Sequence, residues 1–285
     1  MKTGISGYYL NRYGIEDGAR IMAEDGYDTI DLNFANTETE FYSSRESDFF
    51  ILAGKYKAAL KKNNITVEQI HGPWRFPPQD ATEDDRAERF GKMTKSLALA
   101  KFFEAKYVAL HPIMPFGAES SEKPEEVYEI NKRFHTALAS VAEKLGVTVC
   151  LENMPFREFP LSSTESIIAL IKDINSPALK FCFDTGHALY YGESVAEAVK
   201  TAGSEYLRIL HVHDNCGDED SHLPPYEGVI DWAEFVETLY NVGYDGVMNL
   251  ETNPSKYAGF KSMSENEKRE REAELAKIAK LLAGK

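Results

Sequence analysis

The fold is decided by residues 147–184, whose sequence is VTVCLENMPFREFPLSSTESIIALIKDINSPALKFCFD. Its first six residues form a short apolar run that predicts a strand ending on an acid, Glu152. Residues 163–173 have helical apolar spacing after an N-cap pattern, and residues 179–183 predict a second strand, followed by Asp184. The stretch is therefore one strand–helix–strand unit with parallel strands expected.

The same unit recurs along the whole chain. Apolar runs predict strands at residues 2–6, 27–33, 66–70, 107–110, 147–152, 179–183, 207–212 and 246–250. Helical spacing predicts helices at residues 15–25, 47–63, 84–104, 123–145, 163–173, 193–202, 231–242 and 264–283. Eight strands that alternate with eight helices can close into a barrel. We therefore expect an α/β fold, a (β/α)8 TIM barrel that forms a single domain over residues 1–285.

The lengths of the predicted loops favour this barrel over a doubly wound open sheet. Connections from helix to strand are short, whereas the loops from strand to helix are long, at residues 72–83, 112–122, 153–162, 213–230 and 252–263. Long loops on one face are typical of a barrel whose active site lies at the C-terminal ends of its strands. The glycine-rich phosphate turn of a dinucleotide-binding open sheet is absent after the first strand.

Composition excludes several classes of function. The chain has 285 residues and a formal net charge of −14, which argues against a nucleic acid partner because phosphate contacts come mostly from Lys and Arg. No apolar run is long enough to span a bilayer, and the N-terminus has no signal-peptide block. The three cysteines form no CxxC pair, which suits a reducing compartment. We expect a cytoplasmic protein without a membrane partner, and the sequence leaves a homo-oligomer open.

Residue types that bind metals recur where the predicted strands end. Those at the ends of strands three to eight are His71, His111, Glu152, Asp184, His211 and Glu251, and those in the segments just beyond are His187, Asp220 and His222. Barrel strands converge, so these acids and imidazoles would share one bowl, where a divalent cation can neutralise them. A mixed nitrogen and oxygen set suits Zn²⁺ or Mn²⁺. Of the seven histidines only His135 falls inside a helix, where we expect it to face solvent.

Several motifs together resemble the xylose-isomerase-like TIM-barrel superfamily, which contains sugar and sugar-phosphate isomerases and epimerases and also endonuclease IV. The motifs are His71-Gly72-Pro73, His111-Pro112, Leu151-Glu152-Asn153, Phe183-Asp184-Thr185-Gly186-His187, His211-Val212-His213-Asp214, Asp220-Ser221-His222 and Leu250-Glu251-Thr252. The epimerase branch implies one metal ion held by Glu152, Asp184, His211 and Glu251. The endonuclease branch implies three zinc ions, with His71, His111, His187, Asp220 and His222 as the further ligands.

Sugar chemistry is the interpretation we favour over abasic DNA. The net charge is unsuited to a duplex, and the loops after the first two strands contain only isolated cations. Residues 224–232 also resemble the Pro-Gly-Glu-Gly-x-Ile-Asp segment of sugar-phosphate isomerase-like sequences, with Tyr226 in place of the first glycine. An endonuclease IV-like trinuclear zinc phosphodiesterase is the second hypothesis. A non-catalytic barrel that binds a metal or a polyol is the third.

The expected reaction is isomerisation or epimerisation of a sugar or sugar phosphate through a metal-stabilised enediolate. Glu152 and Glu251 would act as the acid/base pair on opposite sides of the metal, with their proton affinities shifted in opposed directions. The residues expected to bind substrate are His187, Trp74, Arg157 and His213. Three more cations, Arg75, Arg208 and Lys256, could also meet an anionic substituent, so the sequence leaves the presence of a phosphate open.

Overall fold

Eight parallel strands form the centre of the protein, which is described by a computed structural model over residues 1–33, 40–118 and 121–285. They are β1 Lys2–Ser6, β2 Thr29–Asn33, β3 Thr66–His71, β4 Tyr107–Leu110, β5 Thr148–Glu152, β6 Leu179–Asp184, β7 Leu207–His211 and β8 Val247–Leu250. Their order in the sheet is β7-β6-β5-β4-β3-β2-β1-β8. β7 and β8 meet just beyond β7, where Val212 N donates to Asn249 O at 2.9 Å. The predicted TIM barrel is therefore confirmed as a nearly closed cylinder.

Helices cover the outside of the cylinder. Within the described residues they are α1 Tyr8–Tyr13, α2 Ile15–Asp25, α3 Glu40–Ser43, α4 Glu46–Lys62, α5 Glu83–Phe103, α6 Pro124–Leu145, α7 Thr164–Ile174, α8 Thr185–Tyr191, α9 Val195–Tyr206, α10 Trp232–Asn241 and α11 Glu265–Leu282. All eight predicted helices are confirmed, whereas α1, α3 and α8 were not predicted because they are too short to show a helical period. In this described part of the chain, none of the helices combines the length and apolar character that crossing a bilayer requires.

Side-chain caps explain where two of the predicted helices begin. Thr82 accepts a hydrogen bond from Asp85 N at 3.1 Å, and Asp85 accepts one from Thr82 N at 2.9 Å, so both residues cap α5. Ser163 accepts a hydrogen bond from Ser166 N at 3.1 Å at the start of α7. These caps satisfy backbone N–H groups that have no partner within the helix.

Beneath the strand ends, the barrel interior has an apolar half and a polar half. The apolar half, on β4 to β7, consists of Ala109, Cys150, Cys182 and Ile209. The polar half, on β2, β3 and β8, consists of Asp31, Gln69 and Asn249, all of them buried. Gly4 on β1 leaves room for this half, because a Cβ atom there would lie 2.8 Å from Asn249 Oδ1. Polar side chains therefore support one side of the functional site from below.

The loop between β7 and α10 is organised by the buried Asp214. Its carboxylate accepts hydrogen bonds from Tyr226 N at 3.1 Å and from Trp232 Nε1 at 2.9 Å. Gly228 packs against Asp214 so closely that a Cβ atom would clash. Tyr226 has a φ of 74°, in the left-handed region that favours glycine, which explains why the segment it resembles has glycine at this position. The loop adopts this conformation even with tyrosine at position 226. The same loop contains Asp220 and His222.

The expectation that His135 faces solvent was wrong. His135 on α6 is completely buried, and neither ring nitrogen has a hydrogen-bond partner within the described residues. Burial lowers the pKa of His135 to about 3, and the nearby positive charge of Arg89 contributes to this shift. The ring is therefore neutral at any pH near 7 and occupies a core position of the helix.

This burial predicts a pH-dependent loss of stability. The unfolded chain binds a proton at His135 near pH 6.5 and the folded chain does not, so stability falls as the pH drops from about 6.5 towards 3. Between pH 7 and pH 5 we expect His135 to lower the free energy of unfolding by about 2 kcal/mol. Urea unfolding of the wild type and of His135→Leu at both pH values measures this difference. An equal pH dependence in both proteins would contradict the prediction.

Candidate metal centre and substrate pocket

The strand ends bring all nine predicted metal-ligating residues to one end of the barrel. His71, Glu152, Asp184 and His211 are the last residues of their strands, whereas His111 and Glu251 each follow a strand directly. His187 lies in the first turn of α8, whose N-cap is Asp184, and its backbone N donates to Asp184 Oδ1 at 2.6 Å. Asp220 and His222 lie in the loop after β7. The expected gathering is therefore present, although the role of each residue stays a prediction.

A central cluster consists of Glu152, Asp184, His211 and Glu251. One ligand-type atom from each residue lies within 4.8 Å of those of the other three. His211 Nδ1 lies 3.0 Å from Glu152 Oε1 and 3.3 Å from Glu251 Oε2. Both oxygens of Glu152 and both ring nitrogens of His211 are buried without a hydrogen-bond partner in the described residues. Buried polar atoms of this kind are costly unless something compensates them, so this donor set fits a divalent cation.

Two histidines extend the cluster on the side of Glu152 that faces β3 and β4. His111 Nε2 lies 3.2 Å from Glu152 Oε2, and His71 Nε2 lies 3.7 Å from the same oxygen. His71 Nδ1 contacts the carbonyl oxygen of Gly72 at 2.9 Å, which places its proton on Nδ1 and leaves Nε2 as an acceptor. The side chains of both histidines are thus directed at the central carboxylate.

A second cluster consists of His187, His213, Asp220 and His222. Asp220 Oδ2 lies 3.3 Å from His187 Nε2 and 3.4 Å from His222 Nε2. The rings of His213 and His222 stack with centroids 3.8 Å apart, and His213 Nε2 lies 2.9 Å from Asp184 Oδ1. The sequence alone did not show whether the side chain of His213 points into the barrel or into the loop. In the structure it points inward, towards Asp184. Gly186 makes this possible, because any side chain at that position would collide with the His213 ring.

The two glutamates of the central cluster differ in proton affinity. Burial raises the pKa of Glu251 well above its usual value against the attraction of His211, and repulsion from Glu152 and Asp184 adds to the rise. Burial also acts to raise the pKa of Glu152, but attraction from His211 and His111 overcomes it and holds this pKa well below its usual value. Of the pair, Glu152 therefore loses its proton more readily and Glu251 holds its proton more strongly.

Above the clusters lies a cavity of about 770 Å³ with an aromatic wall. Trp74 packs edge-on against His111 with ring centroids 4.5 Å apart. Phe76, which is 64% exposed, stacks on Phe156 at 5.9 Å, and Tyr190 also lines the cavity. Trp74 therefore lies where a substrate could contact it, as the sequence analysis expected. Such a wall offers apolar faces to a bound ring.

Arg157 is the one Lys or Arg residue among the described residues that line this cavity. Its Nε and one terminal nitrogen donate to Tyr190 O at 3.1 and 2.9 Å, so two of its five N–H donors are engaged. Arg208 lines a different cavity of about 490 Å³ at the other end of the barrel, together with Lys2 and Tyr107. Arg75 contacts Glu88 at 3.5 Å outside the aromatic wall. Of the cations considered from the sequence, Arg157 alone is at the site in the described residues.

Sequence reasoning missed two polar residues that hold the site. Asp31 Oδ2 lies 3.3 Å from His211 Nε2, on the side of the ring that faces away from the central cluster. Asn153 joins two strand ends, because its amide donates to Asp184 O at 2.9 Å and accepts from Asp184 N at 2.8 Å. Asp31 lies on β2 and points into the barrel, so a search for polar residues at inward positions below the strand ends would have found it.

Comparison with known proteins agrees with this architecture. A curated protein of Methanocaldococcus jannaschii is 30% identical over 260 residues, which cover 88% of this chain and 83% of that protein. D-psicose 3-epimerase of Ruminiclostridium cellulolyticum is 26% identical over 84% of this chain and 77% of its own length. A probable endonuclease 4 of Mycoplasma mobile is 24% identical over 74% of this chain and 77% of its own length. The curated relatives thus include sugar epimerases as well as a nuclease.

A solved structure and a family profile extend the comparison to the whole chain. The crystal structure of a D-tagatose 3-epimerase-like protein superimposes with a TM-score of 0.78 at 25% identity, covering 100% of this chain and 98% of the other. The profile of the xylose isomerase-like TIM barrel matches residues 19–281. This match covers well over half of the chain and includes every residue of both clusters. The chain belongs to the xylose isomerase-like TIM barrel family.

Proposed function

We propose that this protein is a divalent-metal-dependent epimerase or isomerase of an uncharged sugar. The observation that carries the proposal is the central cluster, where Glu152, which is buried, and Glu251, whose side chain is 11% exposed, lie beside His211 and Asp184 with pKa values shifted in opposite directions. The relatives that are named as sugar epimerases support the same class of reaction. Glu152, Asp184, His211 and Glu251 would hold the metal ion. A divalent ion there would supply Lewis-acid stabilisation to negative charge on the substrate oxygens.

The two glutamates are suited to a pair of proton transfers. The ionised Glu152 would remove the proton from the carbon next to the sugar carbonyl, and the electron pair would move onto the carbonyl oxygen. The protonated Glu251 would return a proton to the opposite face of that carbon, which inverts it. It could instead protonate the former carbonyl carbon, while the hydroxyl proton of the first carbon passes to the former carbonyl oxygen, and this moves the carbonyl. In the reverse direction the two residues exchange roles. His187 would donate a hydrogen bond to a substrate hydroxyl group, and Trp74 would contact the apolar face of the sugar. The expected substrate contact of His213 was wrong, because its ring is completely buried outside the cavity lining and its nitrogens face Asp184 and the carbonyl oxygen of Asp214.

The charges around the cavity favour an uncharged sugar over a sugar phosphate. The carboxyl groups that line it are those of Glu152, Glu158, Glu219, Asp220 and Glu251. The cationic groups in the described lining are Arg157 and two histidines with raised pKa values, His187 and His222. Residues 34–39 and 119–120, which lie outside the described part, contain neither Lys nor Arg. Carboxyl groups thus outnumber cationic groups around the cavity, which suits an uncharged sugar better than a phosphate dianion.

Hydrogen exchange tests the proposed acid/base pair. Incubation with free ketohexoses and ketopentoses in D₂O should introduce deuterium at the carbon next to the carbonyl, because the abstracted proton is replaced from solvent. Glu152→Gln should slow this incorporation by at least about 100-fold, since the base is lost. Mass spectrometry of the sugars measures the exchange, and phosphorylated ketoses should exchange more slowly than the free sugars.

Two controls accompany the exchange experiment. Glu165→Gln changes an exposed carboxyl group on α7, away from the cavity, and should leave the rate unchanged. Circular dichroism of Glu152→Gln shows whether the barrel is intact. Full exchange by a folded Glu152→Gln protein would remove Glu152 from the mechanism.

The second cluster supports one alternative, a phosphodiesterase with three metal ions. Three divalent ions would reverse the sign of the charge in the cavity and make it attractive to a phosphodiester. We expect elemental analysis to find one divalent ion per chain, and chelation to abolish hydrogen exchange. Asp220→Asn should leave this count unchanged, because the proposed ion does not use Asp220. Three ions per chain together with cleavage of an oligonucleotide that contains an abasic site would contradict the epimerase proposal.

A further inference from the structure

His211 is oriented differently from the other histidines around the central carboxylates. His71, His187 and His222 each contact a backbone carbonyl oxygen through Nδ1, at 2.9, 2.8 and 2.8 Å. Their Nε2 atoms are directed at carboxylates of the site. His211 is reversed, because its Nδ1 is directed at Glu152 and Glu251, while its Nε2 lies 3.3 Å from Asp31 Oδ2. In the other three histidines, the nitrogen that points away from the site carboxylates faces a backbone carbonyl oxygen. In His211 that nitrogen faces the carboxylate of Asp31.

Few groups other than His211 can compensate the negative charge of Asp31. It is completely buried in the polar half of the barrel interior, below the site. Gln69 donates a hydrogen bond from Nε2 to Asp31 Oδ2 at 3.2 Å. Among the described residues, His211 is the basic group within salt-bridge distance of Asp31, and no Lys or Arg reaches it. A carboxylate buried in this way is destabilising unless a donor faces it, so Asp31 and His211 depend on each other.

We propose that Asp31 is a positioning residue that prepares His211 to bind the metal ion. The negative charge of Asp31, 3.3 Å from Nε2, favours the tautomer with the proton on that nitrogen, which leaves the lone pair on Nδ1, directed at Glu152 and Glu251. The negative charge of Asp31 also makes the imidazole a stronger electron donor. Gln69 holds Asp31 in place. The inference rests on the proposed metal centre, and it assigns a function to a residue that does not touch the substrate.

A purely structural role for Asp31 makes a different prediction. If Asp31 served only the polar half of the interior, its loss would change the stability of the metal-free protein and leave the affinity for ions unaltered. A positioning role predicts weaker ion binding by every folded variant, whether or not the stability of its metal-free form also changes.

Metal affinity of the full-length chain distinguishes these roles. Zn²⁺ and Mn²⁺ titrations in competition with a chromogenic chelator should give affinities about 10-fold weaker for Asp31→Asn and about 100-fold weaker for Asp31→Ala. Asp31→Asn keeps an oxygen that can face Nε2, so it serves as the conservative variant and guards against misfolding of Asp31→Ala. Gln69→Leu should show a smaller loss. Thermal unfolding with and without Zn²⁺ should show a reduced gain in Tm for each Asp31 variant.

Asn249→Ala is the matched control. Asn249 is equally buried in the polar half, but its side chain makes no hydrogen bond within the described residues, so the affinity of the variant for both ions should match that of the wild type. Equal ion affinities for the wild type and a folded Asp31→Asn protein would overturn the role of Asp31 but not the proposed metal centre. A wild-type chain that binds neither ion would overturn the proposed metal centre, and the inference with it.

Discussion

The burial of Glu152 at the end of β5 is the constraint on which the site depends. Its two oxygens accept no hydrogen bond within the described residues, and imidazoles lie 3.0 and 3.2 Å from them. A buried carboxylate with no amide donor keeps its charge only through nearby positive charge or a cation. The neighbouring strands supply imidazoles at these positions, and the pKa of the second glutamate, Glu251, is raised by burial and by the charge of Glu152. The burial of Glu152 therefore influences which of the neighbouring side chains carry protons.

The barrel provides this arrangement through strand register and through the composition of its interior. Side chains alternate between inward and outward positions, so the residue two places before a site residue also points into the barrel. On β4 to β7 these lower positions are filled by small or apolar side chains, and on β2, β3 and β8 they are polar. The polar half includes Asp31, whose carboxylate lies 3.3 Å from Nε2 of His211. The site therefore extends one layer deeper than its cavity.

Much of the architecture could be predicted because periodicity and position relative to strand ends are local signals. All eight strands and the long helices were predicted from apolar spacing, and the gathering of His71, Glu152 and Glu251 followed from where strands end. Other features depend on contacts between distant segments. His135 is buried because neighbouring elements pack over α6, and the short helix α8 has too few residues for a period. Arg157 was expected at the site and lies there, but its bonds to Tyr190 O depend on tertiary structure.

Asp184 belongs to two parts of the structure at once. Its Oδ1 accepts the backbone N–H of His187 and so begins α8, while its carboxylate also faces His213 and the central cluster. The helix is only seven residues long, so it has little stability of its own without this N-cap. A substitution at Asp184 would therefore remove both the N-cap of α8 and a carboxylate of the central cluster. Because this one side chain couples the electrostatics of the central cluster to the backbone position of His187, neither mutation during evolution nor protein engineering can change Asp184 for one cluster alone.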